Sequence, residues 1–146
     1  MNLFNLLDVS GSALVAERER AEIVATNLAN AETTRTPGGG PYKRQEVVFG
    51  TESVTAPSFG EVYSSAADNA VKGVQVEKVV TDPTPPVRRY DPSNPDANTQ
   101  GYVEYPAINP AEEVVDMMEA ARSYDLNVDA VQATKGMITQ ALTILS

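Results

Sequence analysis

The chain has no cysteine, no histidine and no tryptophan among its 146 residues. Each absence removes a class of function. Without Cys there is no disulfide framework and no thiol nucleophile. Without His there is no imidazole base, and the usual zinc ligand sets cannot form. Only carboxylates, hydroxyls, Lys and Tyr are left for chemistry. Aromatics are few, three Phe and six Tyr, so one copy has little material for a large core. Basic residues are outnumbered 20 to 11 by acids, for a net charge of −9. A chain so acidic is poorly suited to a phosphate backbone, and no nucleic-acid partner is expected. Long apolar runs are missing too. The longest are about four residues, as at Ala13–Ala16, where a bilayer span needs about 20, so the chain is not expected to span a membrane. The N-terminus lacks a basic stretch and Asp8 interrupts its apolar residues, so no cleaved signal peptide is expected.

What remains is organised as two long helical ends around a middle rich in Pro and Gly. The expected class is mainly α with a small β-rich middle, the terminal helices packing as a coiled-coil-like pair with short strands between. The boundaries read 1–34 for the N-terminal helix, 35–108 for the loop and β region, and 109–146 for the C-terminal helix. The first segment is free of Pro. Leu7, Leu14, Ala21 and Leu28 step by seven, and Val9, Ala16 and Ile23 lie on nearly the opposite side at 100° per residue. A helix with two apolar sides suits a place between neighbours. Asn27 or Asn30 fits its C-terminal cap.

Thr36 to Pro41 must be loop. Short strands are expected at Gln45–Phe49, Val71–Thr81, Val87–Tyr90 and Gly101–Tyr105, with loop at Thr51–Ala70 and turns from Asp91 to Gln100.

The last segment carries the clearest pattern. Asn109 fits an N-cap, Pro110 the first helical position and Glu112 the capping box. Val114, Met117, Ala121, Tyr124, Val128, Val131, Lys135, Ile138, Leu142 and Leu145 then step 3, 4, 3, 4, five heptads of a and d positions broken only by Lys135. From Ala130 to the end Lys135 is the one charge, so that half has no solvated face and belongs inside an assembly. Gly136, costly in a helix interior, suits the close approach of another backbone.

Candidate sites are weak by comparison. Glu112 and Glu113 are adjacent and point about 100° apart, so they read as helix-start charge and not as an acid/base pair. Asp91, Asn94, Asp96 and Asn98 have a calcium loop's composition without its order, and read as turns. Gly38–Gly40 is not followed by Lys-Ser/Thr and makes no phosphate loop. Lys43-Arg44 and Arg88-Arg89 read as solvated or interchain ion pairs. Lys135 either sets register between helices or lays its stem on apolar surface. No catalytic, cofactor or metal residues are assigned. The core and subunit-interface residues expected are Leu7, Leu14, Ala21, Ile23, Asn27, Leu28 and Asn30 in the first helix and the a and d positions of the last, Lys135 excepted.

Ala25-Thr-Asn27-Leu-Ala-Asn30-Ala-Glu-Thr33 resembles the N-terminal signature of the bacterial flagellar rod, hook and hook-associated axial proteins. Thr34-Arg-Thr-Pro-Gly-Gly-Gly-Pro-Tyr42-Lys-Arg44 narrows the resemblance to proximal rod members, as do Gly101-Tyr-Val and Glu112-Glu with Asp116-Met-Met. The resemblance implies a non-enzymatic structural subunit of the basal body, without cofactor. It implies passage through the flagellar type III export apparatus, residence in the periplasmic rod, helical assembly through the terminal helices and transmission of torque from motor to hook. Implied partners are copies of the chain and the rod proteins FlgB, FlgF and FlgG. Two other readings stay open: a helical adaptor or export-apparatus subunit forming a small closed oligomer, and a small carboxylate hydrolase.

Overall fold

The structure, a computed structural model, describes residues 3–51 and 72–145. Two long helices bracket two small hairpin-like ribbons. Helix α1 covers Leu3–Ala29, and the second helix, α2, covers Pro110–Leu145. Between them β1 (Gln45–Thr51) pairs antiparallel with β2 (Val74–Thr81), and β3 (Val87–Tyr90) pairs antiparallel with β4 (Tyr102–Tyr105). The expected class holds. The strand expected from Val71 starts at Val74, and the loop expected at Thr51–Ala70 falls, beyond Thr51, outside the described residues.

Both helices end and begin where local chemistry says they should. The Asn30 amide and its side-chain Nδ2 both donate to the Thr26 carbonyl, at 3.1 and 2.9 Å, closing the last turn of α1. At the other helix, Asn109 Oδ1 accepts from the Ala111 amide at 3.1 Å, and Asn109 Nδ2 donates to Glu112 at 3.0 Å. Asn109 is therefore the N-cap, with Pro110 just inside it.

The chain after α1 doubles back at once. Gly39 and Gly40 take φ of 85° and 75°, which side chains rarely tolerate. Thr36 N donates to the Gly40 carbonyl at 2.9 Å, and Tyr42 N to the Thr33 carbonyl at 3.0 Å. This tight loop returns Tyr42, Arg44 and Gln45 to the flank of α1 they have just left. β1 then bulges between Val48 and Phe49 as it pairs with β2. The Ser12 hydroxyl accepts from the Val74 amide at 3.0 Å, tying that ribbon to α1.

Asp91 to Gln100 is a run of side-chain-closed turns. Asp91 accepts from Ser93, Asn94 from the Asp96 amide at 3.0 Å, and Asn98 from the Gln100 and Tyr102 amides. These oxygens are engaged by the backbone, as the turn reading expects. Hydrogen bonds from Ser93 hold the Asp91 carboxyl below its ordinary range, and hydrogen bonds from Thr84 do the same for Asp82. Gly101 closes the run at φ 80°, where an added Cβ would lie 2.8 Å from the Tyr90 ring.

Candidate assembly site: a polar hub and a two-sided helix

The helices run antiparallel. Asn27 meets Glu113, and Arg20 lies 3.6 Å from Glu119. Continuing that register places the start of α1 near Met137. The remaining turns of α2 run past it, and residues 139–144 are all exposed.

The seam between the helices is not the apolar stripe. On α2 the buried positions are Glu113, Ala120 and Thr134, with Asn127 half-buried, each a heptad apart. This is the row next to the expected a positions. The expected d residues Met117, Val131 and Ile138 flank it and are half-buried, with Tyr124 more open. Of the a positions, Val128 is half-buried, while Val114, Ala121, Lys135 and Leu142 are exposed. The side chain of Leu145 lies outside the described residues. On α1 the buried residues are Ser10, Ala16, Val24 and Asn27. Leu7, Leu14, Ala21, Leu28 and Ile23 are half-buried, as is Asn30. The two apolar rows of α1 therefore border one shared seam, on which Ser10, Val24 and Asn27 lie.

Small and hydrogen-bonding residues suit such a seam because they let two backbones approach. Their polar atoms are answered locally: Thr134 Oγ1 donates to the Ala130 carbonyl at 2.8 Å and Asn127 Nδ2 to that of Ser123 at 2.9 Å. A buried hydroxyl bonded to its own helix carries little desolvation penalty.

At one end the seam becomes a charged hub. Asn27, 1 % exposed, uses all four hydrogen-bonding sites of its amide. Nδ2 donates to the Gln45 carbonyl at 2.8 Å and to Glu113 Oε2 at 3.1 Å. Oδ1 accepts from the Gln45 amide at 3.0 Å and the Tyr42 hydroxyl at 3.1 Å. Glu113 is fully buried, and its other oxygen accepts from Arg44 Nε. Arg44 also donates to Asp116 at 3.2 Å and to Glu46. Its pKa is raised, chiefly by the hydrogen bond to Glu113, against a smaller opposing effect of burial. The Tyr42 hydroxyl is pushed up by burial first and by the negative Glu113 second.

Two expectations are corrected here. Arg44 is neither solvated nor interchain; it is the cation of an intrachain network. Glu113 is more than helix-start charge, since one turn of α2 turns its carboxylate into the seam. Asn27 is the hub and Asn30 the cap. The spacing 27–113 spans most of the chain, so no local pattern could have joined them; the Arg44 signal was a basic pair, Lys43-Arg44, set between Tyr42 and a strand. Gly136 faces open space in the single chain, so the close approach expected there is not made within it. Arg88 pairs with Glu104 across β3 and β4, and Arg89 stacks 4.7 Å over the Tyr105 ring.

Chemically the hub is saturated. A cleft of about 180 Å³ opens beside it, lined by Arg20, Ile23, Asn27, Arg44 and Asp116 among others. Both Glu113 oxygens and the Asn27 amide are held by fixed donors or acceptors, which leaves neither residue placed to move a proton to a substrate. The site holds two helices in register. The outer side of α2 is of another kind, with Val114, Val115, Met118, Leu126 and Leu142 exposed. Among the described residues no helix is long and apolar enough to cross a membrane.

Comparison with known proteins follows the same division. Residues 7–35 match the family described as flagella basal body rod protein, and residues 99–144 the family described as flagellar basal body rod FlgEFG protein C-terminal. The matched segments are the two helices with their flanks, including Asn27 and Glu113. Over 99% of the chain, the sequence is 41% identical to the flagellar basal-body rod protein FlgC of Bacillus subtilis and 37% identical to that of Borreliella burgdorferi, each covered over 99% of its length. It is 35% identical to the FlgC of Salmonella typhimurium, over 99% of this chain and 98% of that protein. Similarity of this extent, carried by both ends and the middle together, shows that the chain belongs to the FlgC family of flagellar basal-body rod proteins.

Proposed function

We propose that the chain is a structural subunit of the proximal rod of the flagellar basal body, assembling helically through its terminal helices and transmitting torque from motor to hook. The observation that carries this reading is the outer side of α2: a helix capped and packed on one side, with Val114, Val115, Met118, Leu126 and Leu142 left exposed, needs neighbours to cover them. In this reading residues 1–34 and 109–146 form the inner layer, and residues 35–108, with their exposed ribbons, face outward. The expected a positions and the end of α2 pack on other subunits, and Gly136 receives a neighbour's backbone. The neighbours are copies of the chain and the rod proteins FlgB, FlgF and FlgG. The chain reaches the periplasmic rod through the flagellar type III export apparatus and serves there without catalytic activity.

Leu126 provides the test. It is 64 % exposed and points away from the α1 seam, so Leu126→Asp leaves the single chain folded. In a strain relying on the variant, the expected result is normal secretion, no rod and no motility. Normal swimming would overturn the assignment of α2 to an inner layer.

A further inference from the structure

The far half of the helix pair is almost without charged side chains. Residues 1–16 carry one, Asp8, and residues 130–146 carry one, Lys135. The two are opposite in sign and sit on different helices. The register set by Asn27 with Glu113 and by Arg20 with Glu119 places Asp8 alongside about Gln132, one turn from Lys135. Yet they do not meet within the chain. Both are exposed, and the ion pairs of the described helices lie elsewhere, at Arg18 with Glu22, at Arg20 with Glu17 and Glu119, and at Arg44. The reason is the side that each occupies. Asp8 belongs to a row with Val15, Glu22 and Ala29, spaced by seven and exposed throughout, which turns away from the seam. Lys135 follows the buried Thr134 and lies on the open side of α2.

In a single copy, water solvates both charges. An assembly that covers the exposed Val15, Leu142 and Ile144 around them takes that water away. An ion buried without a partner is then heavily penalised. Two charges of opposite sign, each the only charged side chain of its segment, remove that penalty for one another. One copy cannot join them, because they face apart. Two copies side by side can, with α1 of one against α2 of the next.

We propose that in the assembled rod Asp8 of one copy forms an ion pair with Lys135 of a neighbouring copy. The contact is heterologous: each copy offers Asp8 to one neighbour and Lys135 to another, the open arrangement that helical growth needs. It rests on the rod reading and names a contact within it. It belongs to the assembled state and makes no demand on the free chain.

The test uses basal bodies isolated from a strain whose only copy of the chain is the one under study, with secretion followed alongside. Asp8→Lys and Lys135→Asp each set like charges together. Each is expected to leave secretion intact and to cut the number of assembled rods at least about tenfold, a step worth only about 1.4 kcal/mol of affinity. Both substitutions in one chain restore assembly, because the pair is again opposite in sign. Single variants that assemble normally, or a double variant no better than the singles, would place the partners elsewhere, on a chain terminus or another rod protein, and overturn the pairing. A water-soluble carbodiimide supplies the second arm on the wild-type chain. It joins a carboxylate to an amine in direct contact, with loss of water. Mass spectrometry is expected to find an amide between Asp8 and Lys135 in chains linked to one another. Lys135 joined to a different carboxylate, left unlinked, or linked only within single chains contradicts the contact. A wild-type chain missing from the basal bodies removes the rod reading, and the pairing with it; a chain present there without the Asp8–Lys135 link removes the pairing alone.

Discussion

The two ends of the helix pair are held in opposite ways. Where α1 finishes and α2 starts, Asn27, Tyr42, Arg44 and Glu113 share a buried network with every strong donor answered. Where α1 starts and α2 finishes, residues 139–144 are exposed, Leu142 and Ile144 to 63 % and 82 %. Order in this molecule is therefore graded along one axis. The hub end buries its polar groups within one copy, and the far end leaves its apolar residues exposed. Hydrophobicity does not separate the two, since the apolar residues are richer at the end that is less buried. Hydrogen bonding does.

The most damaging way to break the hub is to remove its cation. Arg44→Ala leaves Glu113 buried with a charge that only Asn27 answers, and a buried ion stripped of its partner costs about 3–5 kcal/mol. Urea unfolding should show a loss of this size. Arg44→Leu combined with Glu113→Leu should recover much of it, because replacing both members of a buried pair by apolar residues is far cheaper than orphaning one. A double variant as unstable as the single one would mean that the ion pair itself, and not the orphaned charge, dominates. Asn27→Ala comes next. It leaves the Gln45 amide and carbonyl, the Tyr42 hydroxyl and one Glu113 oxygen to find new partners, at about 1–3 kcal/mol for each group that stays dry. Some will reach water, so a total near 3 kcal/mol is expected from the same urea measurement.

Neighbouring alanines sharpen the comparison between the two sides of α2. Ala120 is 1 % exposed in the seam, and Ala121 is exposed on the outer row. Ala120→Leu must push the helices apart, which costs about 1–3 kcal/mol. Ala121→Leu should change thermal stability of the dilute chain by no more than about 0.5 kcal/mol. Equal effects would show that the seam is not the close contact described.

How much of this was legible beforehand follows from where the information lies. The helix bounds were readable because capping is local: Asn109, Pro110 and Glu112 sit within four residues. So were β3 and β4, set off by Pro85-Pro86 and the Asp91–Gln100 turns. The partner-facing side of α2 was not, because an apolar periodicity identifies the residues that avoid water, not the partner that covers them. The stripe Val114, Ala121 and Leu142 is real, but the single chain buries Glu113, Ala120 and Thr134. Those are small or polar: Thr134 is answered within its own helix, and Glu113 by Asn27 and Arg44 at separations that no sequence window sees. Val131 and Ile138 show the consequence. They flank the intrachain seam, so a charge placed there disturbs the fold as well as any assembly, whereas Leu126 tests assembly alone.

The smallest effect expected concerns Tyr42, and its sign follows from its surroundings. Its hydroxyl is partly withdrawn from water and lies near the negative Glu113, so ionisation is opposed and the folded pKa lies above the ordinary tyrosine value near 10. A group whose pKa is raised by folding adds stability below its unfolded pKa and loses it as pH rises through the folded value. The hub should therefore be insensitive to this group from neutral pH up to about 10, and then weaken as the pH climbs further. Arg44 cannot offset the loss, because its own pKa is raised and it stays charged across that range. Tyr42→Phe removes the ionisable group along with one hydrogen bond to Asn27. The variant should start slightly less stable, by about 1 kcal/mol, and lose less than the wild type on going to alkaline pH. Parallel alkaline profiles for the two chains would place the sensitivity elsewhere and detach Tyr42 from the hub. Convergence of the profiles would show that the hydroxyl proton is one of the things fastening α1 to α2.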